Sequence, residues 1–520
     1  MDAKISIGKV RIKIIFIFAA AALLLFSCDL DIDYIEIKPY ELPSSSLRPQ
    51  GDSVSVDNNT ENTAPKVMEK NFWAQNLVTN QYYEITAKCL AYNARCEVWV
   101  DKSSSNITVD TAVKIANEFI NIYNKLIVGL GWEKTFAISQ GNQTRKMNTM
   151  QWADFLGDEN GRLIILLLDI IDGYSIGGGY VAGYFAPVNM YSNSSLSGSG
   201  HKSNQCDMIY MDISPGIVTS ETFYGTLAHE TQHLMNFATS YLYIINNHRR
   251  SYMDVWIDEG LSESAEWIYT GKINQSRVNY YNNDSTDLIR QGDNFFIWNA
   301  GYDKKLHPNA VLNDYATVNI FFQWLRIFTG NDKIYSYILN SQYYSDYRAI
   351  TSLFSENVEF ENLIAAWYMA NFLNENDGIY GYNDNPVLKT VKARYISPNN
   401  KIKWDLLPGE AVFSYSQNGA ALPDVSGYIR YMGIGSNGHL NNVPAGGALL
   451  TQNVNKNNRV QISYGTITGE NPPDLVNQFS VMSNSSDSEA SQPYRIGAGD
   501  LLERNGYIRD FPLPLIDAVR

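Results

Sequence analysis

Thirteen residues, Leu227 to Thr239, reading L-A-H-E-T-Q-H-L-M-N-F-A-T, constrain this chain more than any others. Within them His229, Glu230 and His233 form H-E-x-x-H. On an α-helix that spacing stacks both imidazoles on one face, about one turn apart, where they can share one ion. Glu230 is rotated by about 100° from His229, so it flanks the ion and is free to take a proton from an ion-bound water. That is the geometry of a zinc hydrolase. The chain has only six histidines, so composition alone is a poor explanation for the motif. The flanks suit a helix: Thr219 and Ser220 offer N-caps, Glu221 complements the helix dipole, and Tyr224, Leu227, Leu234 and Met235 give an apolar stripe.

Catalytic zinc needs a third protein ligand and an open position. The helix does not continue as H-E-x-x-H-x-x-G-x-x-H, because Asn236 stands where that pattern has Gly and Thr239 where it has the third His, which excludes the metzincin type. Downstream lies W-I-D-E-G-L-S-E-S-A-E, residues 256–266, in which Glu259, Glu263 and Glu266 share one helical face at i, i+4 and i+7. Spacing alone does not choose among the three.

The pairing of H-E-x-x-H with Asp258-Glu259-Gly260 resembles the gluzincins, including thermolysin and the aminopeptidase N type, whose second helix carries a short (N/D)-E-(G/A) motif with the third zinc ligand. The resemblance implies Zn²⁺ held by His229, His233 and Glu259. It also implies that Asp258 and Glu263 accept hydrogen bonds from the ligand imidazoles. More narrowly, T-L-A-H-E-T-Q-H-L-M-N-F with W-I-D-E-G-L-S-E-S-A-E is similar to the hyicolysin-type family of bacterial secreted zinc endopeptidases. That likeness covers roughly residues 70 to 375, with its specific motifs confined to Met208 to Glu266. In aminopeptidase-type gluzincins a tyrosine about sixty residues after the ligand Glu, opening an apolar helix, supplies the second donor to the oxyanion. The matching residue here is Tyr315, opening Ala316 to Phe328 with Gly330 as the stop; His248 and His307 are alternative donors. The aminopeptidase G-x-M-x-N motif is not found nearby, so Tyr315 is carried over on its position alone, and the endopeptidase expectation rests on the hyicolysin-type resemblance.

The elements before the metal helix read as strands at Tyr82–Ala87 and Glu97–Asp101 joined by a hairpin, then a periodic helix with Ala112, Ile115, Ala116, Phe119, Ile122, Tyr123 and Leu126 on one face, stopped by Gly129 and Gly131. A buried strand at Leu163–Ile171, a Gly- and Tyr-rich strand at Gly179–Pro187 and a third at Met208–Ile213 follow. This order resembles the upper part of zincin metallopeptidases, whose edge strand over the cleft pairs with extended substrate. Tyr180, Gly183 and Tyr184 fill that place, the alternative being that Gly177, Gly178 and Gly179 form only a turn. Helices continue to Leu373, and from about 385 the texture turns to short strands at Ala411–Ser416, Gly427–Met432, Gly447–Val454 and Arg459–Ile467. The expected fold is therefore α+β and zincin-like: a mixed sheet with an active-site helix, then a helical subdomain, over residues 67–384, followed by a small β-rich C-terminal domain over 385–520.

At the N-terminus Lys4, Lys9, Arg11 and Lys13 precede an apolar run from Ile14 to Phe26, the layout of a signal peptide over residues 1–27. The ending Leu25-Phe26-Ser27-Cys28 resembles a bacterial lipobox, which implies lipidation of Cys28; a plain secretory signal or an uncleaved anchor helix is the alternative. Residues 28–66, rich in Ser, Pro, Asn and Asp, read as a flexible tether. The formal net charge is −14 with no Lys/Arg stripe, which disfavours nucleic acid as a partner. Cys89, Cys96 and Cys206 are too few for a disulfide scaffold; Cys89 and Cys96 either bridge across a hairpin or stay free and buried. The expectation is an extracytoplasmic zinc peptidase anchored to the cell envelope by lipid, acting on peptide or protein. Its rivals are a non-catalytic surface lipoprotein retaining the fold and a metal-dependent hydrolase of other substrates.

Overall fold

The computed structural model describes residues 68–464, less 132–135, 141–142, 148–161, 175–179, 246–251, most of 285–310 and a scatter of shorter stretches. The signal segment, Cys28, the tether, Gly177–Gly179, His248 and His307 lie outside the described residues. The described chain is α+β and falls into two compact units, the boundary running inside two helices.

The first unit is built on a six-stranded sheet. Its strands are β1 (Glu69–Asn76), β2 (Gln81–Tyr92), β3 (Cys96–Asp101), β6 (Leu163–Leu168), β7 (Gly183–Phe185) and β8 (Met208–Asp212), in the order β1-β2-β3-β6-β8-β7. A separate two-stranded ribbon, β4 (Phe136–Gln140) with β5 (Gln143–Met147), lies between them in sequence. The central pairs β3–β6 and β6–β8 are parallel, and every residue of β6 is buried, as an unbroken aliphatic run covered on both faces requires. The crossover from β3 is helix α1 (Val109–Leu130), whose predicted apolar face is buried. Its N-terminal half packs on this sheet, with the Asn93 amide donating to the Ala116 carbonyl at 2.6 Å. Gly131, at φ +63°, ends the helix, whereas Gly129 lies within it, where a Cβ would approach the Ile268 side chain to 2.7 Å. Gly129 is thus a packing residue rather than a stop.

Both sheet edges bear on the sequence expectations. On β1 the Asn204 side chain pairs with the Trp73 backbone, accepting from its N–H at 2.8 Å and donating to its carbonyl at 2.9 Å, so an amide stands in for a neighbouring strand. At the other edge β7 pairs only with β8 among the described residues. It is three residues long, shorter than expected, and Tyr180 precedes it. The Tyr184 ring is buried and stacks on Tyr210 at a centroid distance of 4.2 Å, so its side chain belongs to the core. Cys89, Cys96 and Cys206 are free thiols. The hairpin register sets Cys89 opposite Trp99, and the Cys89 and Cys96 thiols reach the Ala91 and Ala116 carbonyls respectively. No cross-strand disulfide forms because the two cysteines are not register partners.

The second unit holds α2 (Glu221–Ile245) from Tyr224 onward, α3 (Val255–Thr270), α4 (Gln275–Asn283), α5 (Val311–Thr329), α6 (Ile334–Leu339), α7 (Arg348–Thr351) and α8 (Phe360–Leu373). Trp256, Phe295, Phe321, Phe322, Phe360 and Trp367 interlock edge-to-face or tilted in its core. The same unit includes the C-terminal strands. They are β9 (Tyr395–Ile396), β10 (Trp404–Leu406), β11 (Ala411–Ser416), β12 (Pro423–Val425), β13 (Ile429–Gly435), β14 (Gly438–Leu440), β15 (Gly447–Asn453) and β16 (Val460–Tyr464). They form a five-stranded sheet, β14-β13-β15-β11-β9, and a three-stranded one, β10-β16-β12. Gln452 on β15 donates to the Glu361 carbonyl at 2.7 Å, and Phe413 on β11 packs on Tyr368 and Phe372, tying the larger sheet to α8.

Candidate metal centre

Helix α2 starts where the sequence places a cap: the Ser220 hydroxyl accepts from the Phe223 N–H at 3.1 Å. His229, Glu230 and His233 follow within the helix, all 0–1% exposed. Helix α3 begins after Asp254 and is closed by Gly271 in the left-handed conformation, whose N–H bonds the Trp267 carbonyl at 2.7 Å. Gly260 lets α3 lie directly on α5: a Cβ there would fall inside contact distance of the buried Phe322 ring. That close approach aims Glu259 at α2.

The Glu259 Oε2 atom lies 3.4 Å from His229 Nε2 and 3.5 Å from His233 Nε2, and these three donors fall within 4.8 Å of one another. Donor atoms about 2.0–2.1 Å from a shared tetrahedral centre would lie about 3.3 Å apart, so the set fits zinc. His233 Nε2 and Glu259 Oε2 are buried without a hydrogen-bond partner, a costly arrangement that a cation between them would relieve. Charge agrees. Glu230, Glu259, Glu263 and Glu266 are buried and Asp258 is nearly so, with Arg277 as the buried cation paired into this group. Burial alone would lower the His233 pKa, but the Asp258 and Glu259 carboxylates outweigh it and raise it to about 10. Burial would raise Glu259, yet the two imidazoles hold it below the usual carboxylate range.

The residues around these donors differ in part from expectation. Asp258 Oδ2 stands 3.2 Å from His233 Nδ1, and the Ser262 hydroxyl lies 3.1 Å from the same nitrogen. Glu263, expected to hold an imidazole, instead has its oxygens taken by other donors. Its Oε1 accepts from the Arg277 guanidinium at 3.0 and 2.5 Å, and its Oε2 from the Asn319 amide at 2.9 Å. Burial pushes the Glu263 carboxyl up and Arg277 opposes this, while the neighbouring Glu266 adds to the upward push. The carboxylate facing His229 Nδ1, at 3.7 Å, belongs to Glu266. His229, Glu263 and Glu266 form a second group compact enough for a cation, but the Arg277 guanidinium already balances it.

Tyr315 sits in the second turn of α5 rather than at its start, because Leu312, Asn313 and Asp314 are buried and helical as well. Its hydroxyl donates to Glu259 Oε1 at 3.3 Å, while its ring lies 4.8 Å beneath the Arg277 guanidinium and edge-on to Trp298. Sequence reading did not single out Ser262, Arg277 or Asn319, and it weighed Glu266 only as a possible third ligand. The one available signal was electrostatic: three acids on a single buried face of α3 demand a nearby cation, and Lys272 and Arg277 are the first basic residues after it.

Fold and site together define an α+β protein in which two helices bring a buried pair of histidines and a glutamate into a group able to hold a metal ion. The chain is similar to the neutral metalloprotease ShpI of Staphylococcus hyicus, at 28% identity over 338 residues, covering 62% of this chain and 67% of that protein. No family model matches it.

Proposed function

We propose that this chain is a zinc-dependent peptidase of the zincin kind, acting outside the cytoplasm while anchored by lipid on Cys28. The observation that carries the catalytic reading is the approach of Glu259 Oε2 to both His229 Nε2 and His233 Nε2 at 3.4 and 3.5 Å. The similarity to a neutral metalloprotease supports a peptide bond as the substrate and, with the resemblance noted in the motifs, internal cleavage. Bound by His229, His233 and Glu259, zinc would bring the pKa of a water ligand to about 7 and polarise the scissile carbonyl.

The remaining chemistry belongs to side chains. Glu230, buried and adjacent in sequence to His229, takes the proton from the attacking water and returns it to the leaving amine. Asp258 and Ser262 hold His233 by its outer nitrogen, leaving Nε2 directed at Glu259. Tyr315, whose hydroxyl rests on Glu259 Oε1, is the donor that turns to the oxyanion. Strand β7, which pairs only with β8 among the described residues, would accept extended substrate by strand addition at Gly183, with the backbone rather than the Tyr184 side chain as the recognition element.

Substitution of Glu230 by Gln tests the assignment. The variant should fold and bind zinc like the wild type while cleaving an unfolded protein at least about 100-fold more slowly. Cleavage at the wild-type rate would overturn it.

A further inference from the structure

We propose that Glu266 is the carboxylate that orients His229, and that Glu263, one turn earlier on the same face of α3, instead serves as counter-ion to Arg277. This rests on the reading of His229, His233 and Glu259 as metal ligands. A ligand histidine donates its outer N–H to a carboxylate, carbonyl or water, which fixes its tautomer and keeps the inner nitrogen available. His229 turns Nε2 toward Glu259, so Nδ1 is its outer nitrogen, the one through which a carboxylate would orient the ring. The two nearby acids are not equivalent.

Glu263 is committed. Arg277 Nε and a terminal guanidinium nitrogen donate to its Oε1, and Asn319 donates to its Oε2, all between 2.5 and 3.0 Å. A permanent guanidinium cation outcompetes a neutral imidazole N–H for those oxygens. Glu266 has the complementary arrangement. Its Oε2 accepts from the Asn274 amide at 3.3 Å, and Asn274 is itself fixed because its Oδ1 caps α4 by accepting from the Ser276 N–H at 3.0 Å. Its Oε1 stands opposite His229 Nδ1 at 3.7 Å. At that separation the attraction between carboxylate and ring is electrostatic, short of a hydrogen bond. His233 needs nothing from either acid, since Asp258 and Ser262 already stand at its Nδ1.

The two roles predict different failures. In the mature full-length chain, zinc affinity is measured by competition with a chromophoric chelator, the site is probed by the absorption spectrum of the cobalt-substituted form, and Tm is read without metal. Glu266→Gln should weaken zinc binding about 10- to 100-fold and shift the cobalt spectrum, with Tm near wild type, and Glu266→Asp should recover part of the loss. Glu263→Gln should lower Tm, because Arg277 is left buried with a weaker partner, yet keep zinc affinity within a few-fold of wild type. Should Glu263→Gln fail to fold, the Glu266 variants decide alone. Unchanged affinity and spectrum in Glu266→Gln, or an equal loss of affinity in a folded Glu263→Gln, would overturn the proposal while leaving the metal site intact. A wild-type chain that takes up no zinc would overturn the site reading and this inference with it.

Discussion

Single residues were legible where their relation is fixed by one helix. His229, Glu230 and His233 needed only the pitch of α2, and Asp258 follows from its place beside Glu259. Arg277 was not legible, because its pairing with Glu263 joins α3 to α4 through a turn whose geometry no local pattern encodes. A titration prediction also belongs at this scale. Asp212, at the end of β8, accepts from the Ile170 N–H at 2.9 Å, yet burial, reinforced by Asp169 and Asp172, raises its pKa from 3.8 to about 7. The folded chain therefore keeps this proton up to about pH 7, whereas the unfolded chain loses it near pH 4. The contribution is fully present below the unfolded value and is lost as pH rises through the folded one, by at most about 4 kcal/mol. Asp212→Asn retains an acceptor oxygen but cannot ionise, so its Tm should gain on the wild type between pH 5 and pH 8. A Tm difference that stays constant across that range would contradict the account.

Among elements, those with a strong internal period matched their sequence reading: α1 by its apolar face, β6 by its aliphatic run, and β11 and β15 by their turn-bounded strands. Helix α4 escaped because Gln275–Asn283 is mostly polar and shows no apolar stripe, its place being set by the Asn274 cap and the buried Arg277, Val278 and Tyr281. The cysteine hairpin was indeterminate for a different reason. A bulge between Cys89 and Ala91 shifts the register, and side-chain spacing cannot reveal a bulge. The seating of α3 on α5 carries the candidate metal site and makes its own prediction. In an ordinary helix Gly→Ala gains up to about 1 kcal/mol, but at Gly260 the added methyl meets the buried Phe322 ring, itself packed on Trp256 and Tyr335, and overpacking of this kind costs about 1–3 kcal/mol. Gly260→Ala should therefore lower Tm and weaken zinc binding together, as measured by thermal unfolding and chelator competition. A variant as stable as the wild type would show that α3 does not depend on this contact.

At the scale of the molecule, the succession of strands, crossover helix, strands and the H-E-x-x-H helix disclosed the α+β class. The division into two units inside α1 and α2 was not disclosed, since compactness is set by contacts distant in sequence. The surplus of acid is a whole-chain trait, with a formal net charge of −14, but its consequence is local: the buried carboxylates around His229 and His233 outnumber the Arg277 cation paired with them. A divalent ion is the economical remedy. The most direct measurement is metal content per chain by elemental analysis of the purified protein after dialysis, repeated for Glu259→Ala and His229→Ala. The account predicts one zinc per wild-type chain and a near-complete loss in both variants. A wild type without zinc, or a Glu259→Ala chain that retains a full equivalent, would contradict it.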